Sequence, residues 1–447
     1  MTDQTSETIP SFVPRGNLVA FCSALTVAAV FVLLSFSIFR EGSSADFKAL
    51  WLAGEAFANN TPQYIYPTDQ KFFTMLPPTE WLDQLKARGY EGEVFPYIYP
   101  PIWAWIAGWL STFCQYDTVI RAVALLNPLL LVATVWTARK IAAPKMNAAA
   151  YLVIALLVLL FGGSGAIALF QNQPQILVAF LTVLAIERAE HRAPLVAGIA
   201  LALAASIKLY PAFYIFIWLF GRQFKAASAF FVTGAALASL SIALAGWPLH
   251  AEFLRLIRVI SDTTLITPIT YTAESALAHL FYVNDFTFIH TAQLGDTAVT
   301  NKGWLAQESP KTLSLCIKMA QAISLLWLAS LLARTSEPAQ RAAIWPFALI
   351  LISALGAMAW TYHYIAAVAF VPMLVARLGK VPGLSLIAAL TLAISPFTRP
   401  HLIPPQAALE SGDAYIGYLH AISTAAMVGL GVVYYLIRKR RDQTSAA

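Results

Sequence analysis

Long apolar runs alternate along the chain with short polar breaks, and each run predicts a membrane helix. The runs lie at roughly Leu18–Phe39, Val119–Ala138, Ala148–Phe170, Pro174–Glu187, Ala226–Gly246, Leu313–Ala333, Ala342–Trp360, Tyr364–Arg377, Gly383–Ser395 and Tyr415–Ile437. The longest match the roughly 20 residues that cross about 30 Å of hydrocarbon. The first is too long for a signal-peptide core and no small-residue cleavage site follows it, so it reads as an uncleaved first helix.

Two segments break the alternation. Leu195–Phe220 begins and ends at basic clusters, so it is expected to enter and return as two half-helices meeting at Lys208-Leu209-Tyr210-Pro211. Tyr99–Phe113 is either a re-entrant half-helix or a span that violates the charge rule. Interrupted helices are tolerated at membrane depth only where they line a cavity or are buried in protein. Both segments therefore mark the expected working site.

Charge placement sets the sides. Basic clusters at Arg139/Lys140/Lys145, Arg188/Arg192, Arg222/Lys225, Arg334/Arg341, Arg377/Lys380 and Arg438–Arg441 fit the cytoplasm. The polar stretches without such clusters then face outward. The largest are a first loop over 40–98 and a second over 247–310. An amphipathic helix is expected at Ala45–Ala58 in the first. The aromatic crowding at its end, including Tyr99 and Trp103, suits either an interfacial belt or contacts to sugar or lipid.

Composition agrees with a single membrane-embedded unit over 1–447. Of 447 residues, 59% are hydrophobic and 12% charged, against about a quarter charged in soluble domains. Mean hydropathy is +0.66. The net charge of +6 comes from the clusters between spans, so no nucleic-acid partner is expected. Cys22, Cys114 and Cys316 show no metal or disulfide spacing. The fold class expected is an all-α polytopic bundle with roughly 10–13 membrane helices, some short or broken.

A few polar residues stand out. Asp46, just after the first helix, has the chemistry of a general base, although position alone favours a helix cap beside Ser43 and Ser44. Lys208, flanked by Ile207 and Leu209, is a cation at membrane depth that calls for an anion such as a lipid phosphate. Gln171, Asn172, Gln173 and Gln175 suit sugar hydroxyls, or an ordinary turn around Pro174. His363, in Trp-Thr-Tyr-His-Tyr, suits phosphate binding or proton transfer, or a structural interfacial role. No nucleotide-binding, zinc-protease or catalytic-serine motif is present.

The order of these features resembles a known pattern: Asp46, then Phe95-Pro-Tyr-Ile-Tyr-Pro-Pro101, then Gln173-Pro-Gln175, then Ile207-Lys-Leu-Tyr-Pro211 with Gly221-Arg-Gln-Phe-Lys225, then His363-Tyr364. From about Leu18 to Val375 the chain resembles the GT-C class of polyprenyl-phosphate-dependent glycosyltransferases, and within it the bacterial mannosyltransferase-like glycosyltransferase family eighty-seven. The resemblance implies an inverting enzyme of the bacterial inner membrane with its active site toward the periplasm. It implies a polyprenyl-phosphate sugar donor, mannose being the expected sugar, and a glycolipid or glycan acceptor. Asp46 is then the base with His363 near it, Lys208 the donor-phosphate ligand, and Tyr99, Gln173, Gln175 and Glu274 substrate contacts. Glu274-Ser275 is the nearest counterpart here of an Asn-Gln-Ser segment common in the family's second loop. No cofactor or metal is expected. The rival classes are a lipid-linked sugar flippase, which an inverted repeat would support, and a polysaccharide polymerase or ligase, which would call for more arginines in the outer loops.

Overall fold

The computed structural model describes residues 15–67, 71–282, 285–295, 303–398 and 412–440. Arg399, His401 and Arg441, the last of these in the final basic cluster, lie outside them. The chain is an all-α bundle. Among the described residues, five helices are long and apolar enough to cross a membrane. They are α1 (Arg15–Phe39), α5 (Tyr116–Ala142), α11 (Phe224–Ala245), α14 (Lys311–Arg334) and α19 (Gly412–Ile437).

The run expected over Ala148–Phe170 forms α6 (Ala148–Phe161) and α7 (Ser164–Phe170), bent by 67°. Gly163 makes the bend with φ +85°, and a Cβ there would fall 2.5 Å from Pro396. The helices α8 (Gln175–Glu190) and α9 (Pro194–Ile207) follow, then a 3-10 turn at Tyr210–Phe213 and α10 (Tyr214–Phe220). The break thus falls at Lys208, as expected.

The expected span Tyr364–Arg377 is interrupted. It comprises α16 (Ile365–Val368), a turn, and α17 (Met373–Leu378). Pro372 lacks the N–H that would continue the helix. Nearly every residue of this stretch is buried, so protein rather than lipid surrounds its irregular backbone. The preceding helix α15 (Pro338–Ala354) and the following α18 (Lys380–Ile394) complete the bundle.

The first long loop carries α2 (Ala45–Ala58), α3 (Thr79–Ala87) and, at its end, α4 (Pro101–Ser111). Eleven residues rise only about 16 Å, so α4 is too short to cross. It packs along α2. Phe47 and Trp51 of α2 meet Tyr116 and Ile120 of α5, so the apolar face of α2 is covered by protein.

The second long loop carries α12 (Trp247–Ser261) and α13 (Ala273–Phe281). It also adds strands that the helical pattern does not predict. An antiparallel sheet runs β2 (Thr263–Ile266), β5 (Gly303–Glu308), β3 (Thr287–His290). The short β1 (Gly92–Glu93) of the first loop pairs with β4 (Gln293–Leu294) of the second. The Phe73 amide donates to Thr263 Oγ1 at 2.8 Å and Trp304 Nε1 to the Thr74 carbonyl at 3.0 Å. The two long loops thereby form one roof.

Candidate functional site

The placement of Asp46 begins with the polar turn after α7. The Ser44 amide donates to the Phe170 carbonyl at 3.0 Å, and the Ala45 amide donates to Gln171 Oε1 at 3.0 Å. Asn172 donates from Nδ2 to Ser44 Oγ at 2.9 Å and accepts at Oδ1 from Asn127 at 2.9 Å. Ser44 and Asn172 both adopt left-handed backbone, φ 50° and 46°. The turn thus holds the amino end of α2 and satisfies a helix-start N–H that otherwise lacks a partner. Asp46 makes no cap hydrogen bond; Ser44 occupies the cap position. The cap reading that position alone favours is therefore set aside.

Asp46 is half-buried and lines a cavity of about 340 Å³ beneath the roof, together with Glu93, Gln171, Phe95, Trp304 and Trp360. Burial raises its carboxyl from 3.8 to about 6; Lys208 and the Gln173 side chain oppose the rise, and the charge of Glu93 adds to it. Gln173 accepts at Oε1 from the Tyr99 hydroxyl at 2.7 Å, so its amide NH₂ is what it offers Asp46.

A second cavity, of about 500 Å³, opens among the α9–α10 junction, α12, α14 and the segment after α15. Its walls are chiefly apolar, with Lys208 and His363 among them. Lys208 caps the end of α9 in extended conformation, and its ammonium stands 5.7 Å from the Tyr99 ring centroid and 4.9 Å from that of Tyr362. Cation–π contact of this kind holds a charge at low dielectric without neutralising it. The His363 ring lies 5.2 Å from that of Tyr210 and 5.2 Å from that of Tyr362. Its Nδ1 accepts from the Trp360 amide at 3.0 Å. An amide can only donate, so the hydrogen of the neutral ring is on Nε2.

The two cavities share Ile98, Met358 and Trp360 as walls. One presents Asp46 and Glu93, the other Lys208, Lys318, His363 and Glu274, across a common partition.

The remaining expected contacts fall elsewhere. Tyr99, Gln173 and Gln175 are buried and line neither cavity. Gln175 Nε2 donates to the Tyr210 hydroxyl at 2.6 Å. Gln173 meets Asp46 and Tyr99 meets the Lys208 ammonium, while Gln175 holds Tyr210, whose ring packs against His363. Glu274 lines the apolar cavity, not that of Asp46. It accepts from Thr264 Oγ1 at 3.3 Å, and burial raises its carboxyl. Sequence reasoning does not find Glu93 or Trp304. Neither carries a local motif, and only the β1–β4 pairing and the sheet register bring them to Asp46.

A family model described as Glycosyltransferase family 87 matches residues 97–353. No curated protein matches the chain. The matched stretch contains Tyr99, Gln173, Gln175, Lys208 and Glu274, while Asp46 and His363 flank it.

Proposed function

The chain belongs to glycosyltransferase family 87, and from that premise we propose that it transfers mannose from a polyprenyl-phosphate donor to a glycolipid or glycan acceptor at the periplasmic face of the bacterial inner membrane. The observation that carries this reading is the partition between the two cavities. The apolar one, with Lys208 and His363, suits a lipid phosphate. The roofed one, with Asp46, suits an acceptor hydroxyl.

In the proposed reaction the acceptor oxygen attacks the anomeric carbon while Asp46 takes its proton. The bond from that carbon to the phosphate oxygen breaks, and the electron pair leaves with the polyprenyl phosphate. A single displacement inverts the anomeric centre. Lys208 and the Nε2–H of His363 stabilise charge growing on the leaving phosphate, where preorganised donors act most strongly. The lipid tail lies along the apolar walls, and membrane lipid is the medium from which it enters.

The test is sugar transfer by purified protein in nanodiscs with polyprenyl-phosphomannose and a panel of glycan and glycolipid acceptors. Asp46→Asn should abolish transfer while donor binding persists. Full turnover by that variant removes Asp46 as base. Donor translocation without transfer by the parent protein replaces the enzyme reading with a flippase.

A further inference from the structure

At the end of the bundle away from the roof, the junctions between helices enclose a third cavity, of about 980 Å³. α8 runs from Gln175, which holds Tyr210, to Glu190 in the cavity wall. Its 16 residues rise about 24 Å, so this cavity is remote from Asp46 and Lys208. Four stretches distant in sequence build the wall. They are Lys140 and Lys145 at the α5–α6 junction, Glu190 and Arg192 at the α8–α9 junction, Glu337 and Arg341 at the α14–α15 junction, and Arg377 of α17.

Five lysines and arginines thus share the wall with two carboxylates. Glu190 is already spent on Arg341, which donates to it at 2.7 and 2.8 Å. Arg377 is buried, and it donates to the carbonyls of Ala339, at 3.0 Å, and Arg440. Lys140, Lys145 and Arg192 are exposed and make no hydrogen bond or ion pair among the described residues. A surplus of Lys and Arg at one membrane face is expected of any polytopic protein, but that expectation does not require convergence. Arg222, Lys225 and Arg334 belong to the same set of basic clusters, yet none of them lines the cavity.

We propose that this cavity binds the phosphate head group of an anionic membrane lipid, one molecule per chain, through Lys140, Lys145 and Arg192. Ammonium and guanidinium groups converging on one concavity suit phosphate oxygens, and basic pockets between membrane helices take phospholipid head groups. Ile141, Ala333 and Pro338 add apolar surface to the wall, which the glycerol part of a lipid would use and a free phosphate would not. The inference does not depend on which donor or acceptor the glycosyl transfer uses.

The experiment titrates lipid into the delipidated full chain in neutral detergent and reads one-to-one complexes by native mass spectrometry. The probes are phosphatidylglycerol and phosphatidylcholine with the same acyl chains. The anionic lipid should bind at least about tenfold more tightly than the zwitterionic one. Lys145→Gln/Arg192→Gln should weaken phosphatidylglycerol by about tenfold or more and leave phosphatidylcholine unchanged. Arg222→Gln/Lys225→Gln removes the same two residue types away from the cavity, and Arg222 shares with Arg192 a φ of 58°. This control should stay within about twofold of the parent protein. Equal affinity for the two lipids overturns the proposal, and so does equal loss in the two double variants. Inorganic pyrophosphate is titrated separately; if it binds while the parent shows no preference between the lipids, the site belongs to a soluble anion and the lipid is overturned. If Lys145→Gln/Arg192→Gln does not fold, Lys140→Gln takes its place, with an expected loss of about threefold or more, and no loss overturns the proposal.

Discussion

Asn172 Nδ2 donates to Ser44 Oγ at 2.9 Å, tying the turn after α7 to the residue two positions before Asp46. Asn127 completes the chain from α5. Asn172→Leu removes both bonds and places a branched side chain at φ 46°, where asparagine is among the residues best tolerated. The expected loss is about 1–3 kcal/mol for the unpaired buried groups. Transfer should fall by more than the fraction unfolded, because Asp46 shifts with the end of α2. Thermal unfolding and single-turnover transfer on the same sample check this; a destabilised variant with full activity per folded molecule contradicts it.

Gly54 and Gly108 bring α2 and α4 to backbone contact. A Cβ on Gly54 would meet the Ala107 carbonyl carbon at 2.6 Å, and one on Gly108 the Gly54 oxygen at 2.7 Å. Either Gly→Ala change should cost about 1–3 kcal/mol through overpacking. Gly234 in α11 has nothing within 4 Å of its would-be Cβ. Gly234→Ala should be neutral or stabilising by about 0.5–1 kcal/mol, since alanine is the better helix former. Thermal unfolding in one lipid composition compares the three, and equal effects at all of them would remove the packing argument.

The apolar runs place the spans because lipid leaves helices little alternative. The break at Lys208 is legible for the same reason: a lysine followed by Leu-Tyr-Pro cannot continue a lipid-facing helix. The bend at Gly163 is not legible, since it depends on the close approach of Pro396. Lys208 and His363 are visible as polar groups among apolar or aromatic neighbours, whereas Asp46 sits in a polar turn where position alone favours a cap. Glu93 and Trp304 are not visible, because loop residues acquire meaning only through pairing between loops distant in sequence. The glutamine-rich turn is legible as polar, but its partners are not: Gln171, Gln173 and Gln175 reach α2, Tyr99 and Tyr210 only through the tertiary fold.

The proton on Asp46 gives a pH signature. As a base it works ionised, and its carboxyl is raised to about 6 by burial. Transfer should therefore be at its plateau above that pH and fall as pH drops through it. Glu93 raises the carboxyl and Lys208 lowers it. Glu93→Gln should move the acid limb to lower pH, and Lys208→Met to higher pH. The profile of kcat/KM against pH reads the free enzyme. A limb at the ordinary value of 3.8 would show that Asp46 is not the group being titrated.

His363 has two jobs that separate by substitution. Its Nδ1 accepts from the Trp360 amide, which holds the 3-10 turn Thr361–Tyr364. Its Nε2–H is then the group left to meet a leaving phosphate in the cavity that it lines. Asparagine places an oxygen near Nδ1 and nothing near Nε2; glutamine reaches toward Nε2 and abandons Nδ1. His363→Asn should keep its unfolding temperature and lose about 10²–10³ in transfer rate, the usual effect of deleting one donor to developing charge. His363→Gln should lose about 1 kcal/mol of stability with the turn's hydrogen bond and retain more of the rate. Lys208→Met should weaken donor binding while leaving that of a neutral acceptor glycoside unchanged, because the cation stands in the other chamber. Comparing unfolding temperature, transfer rate and donor affinity across the three variants distinguishes the roles. An asparagine variant with the parent's rate would confine His363 to holding the turn and leave Lys208 as the partner of the phosphate.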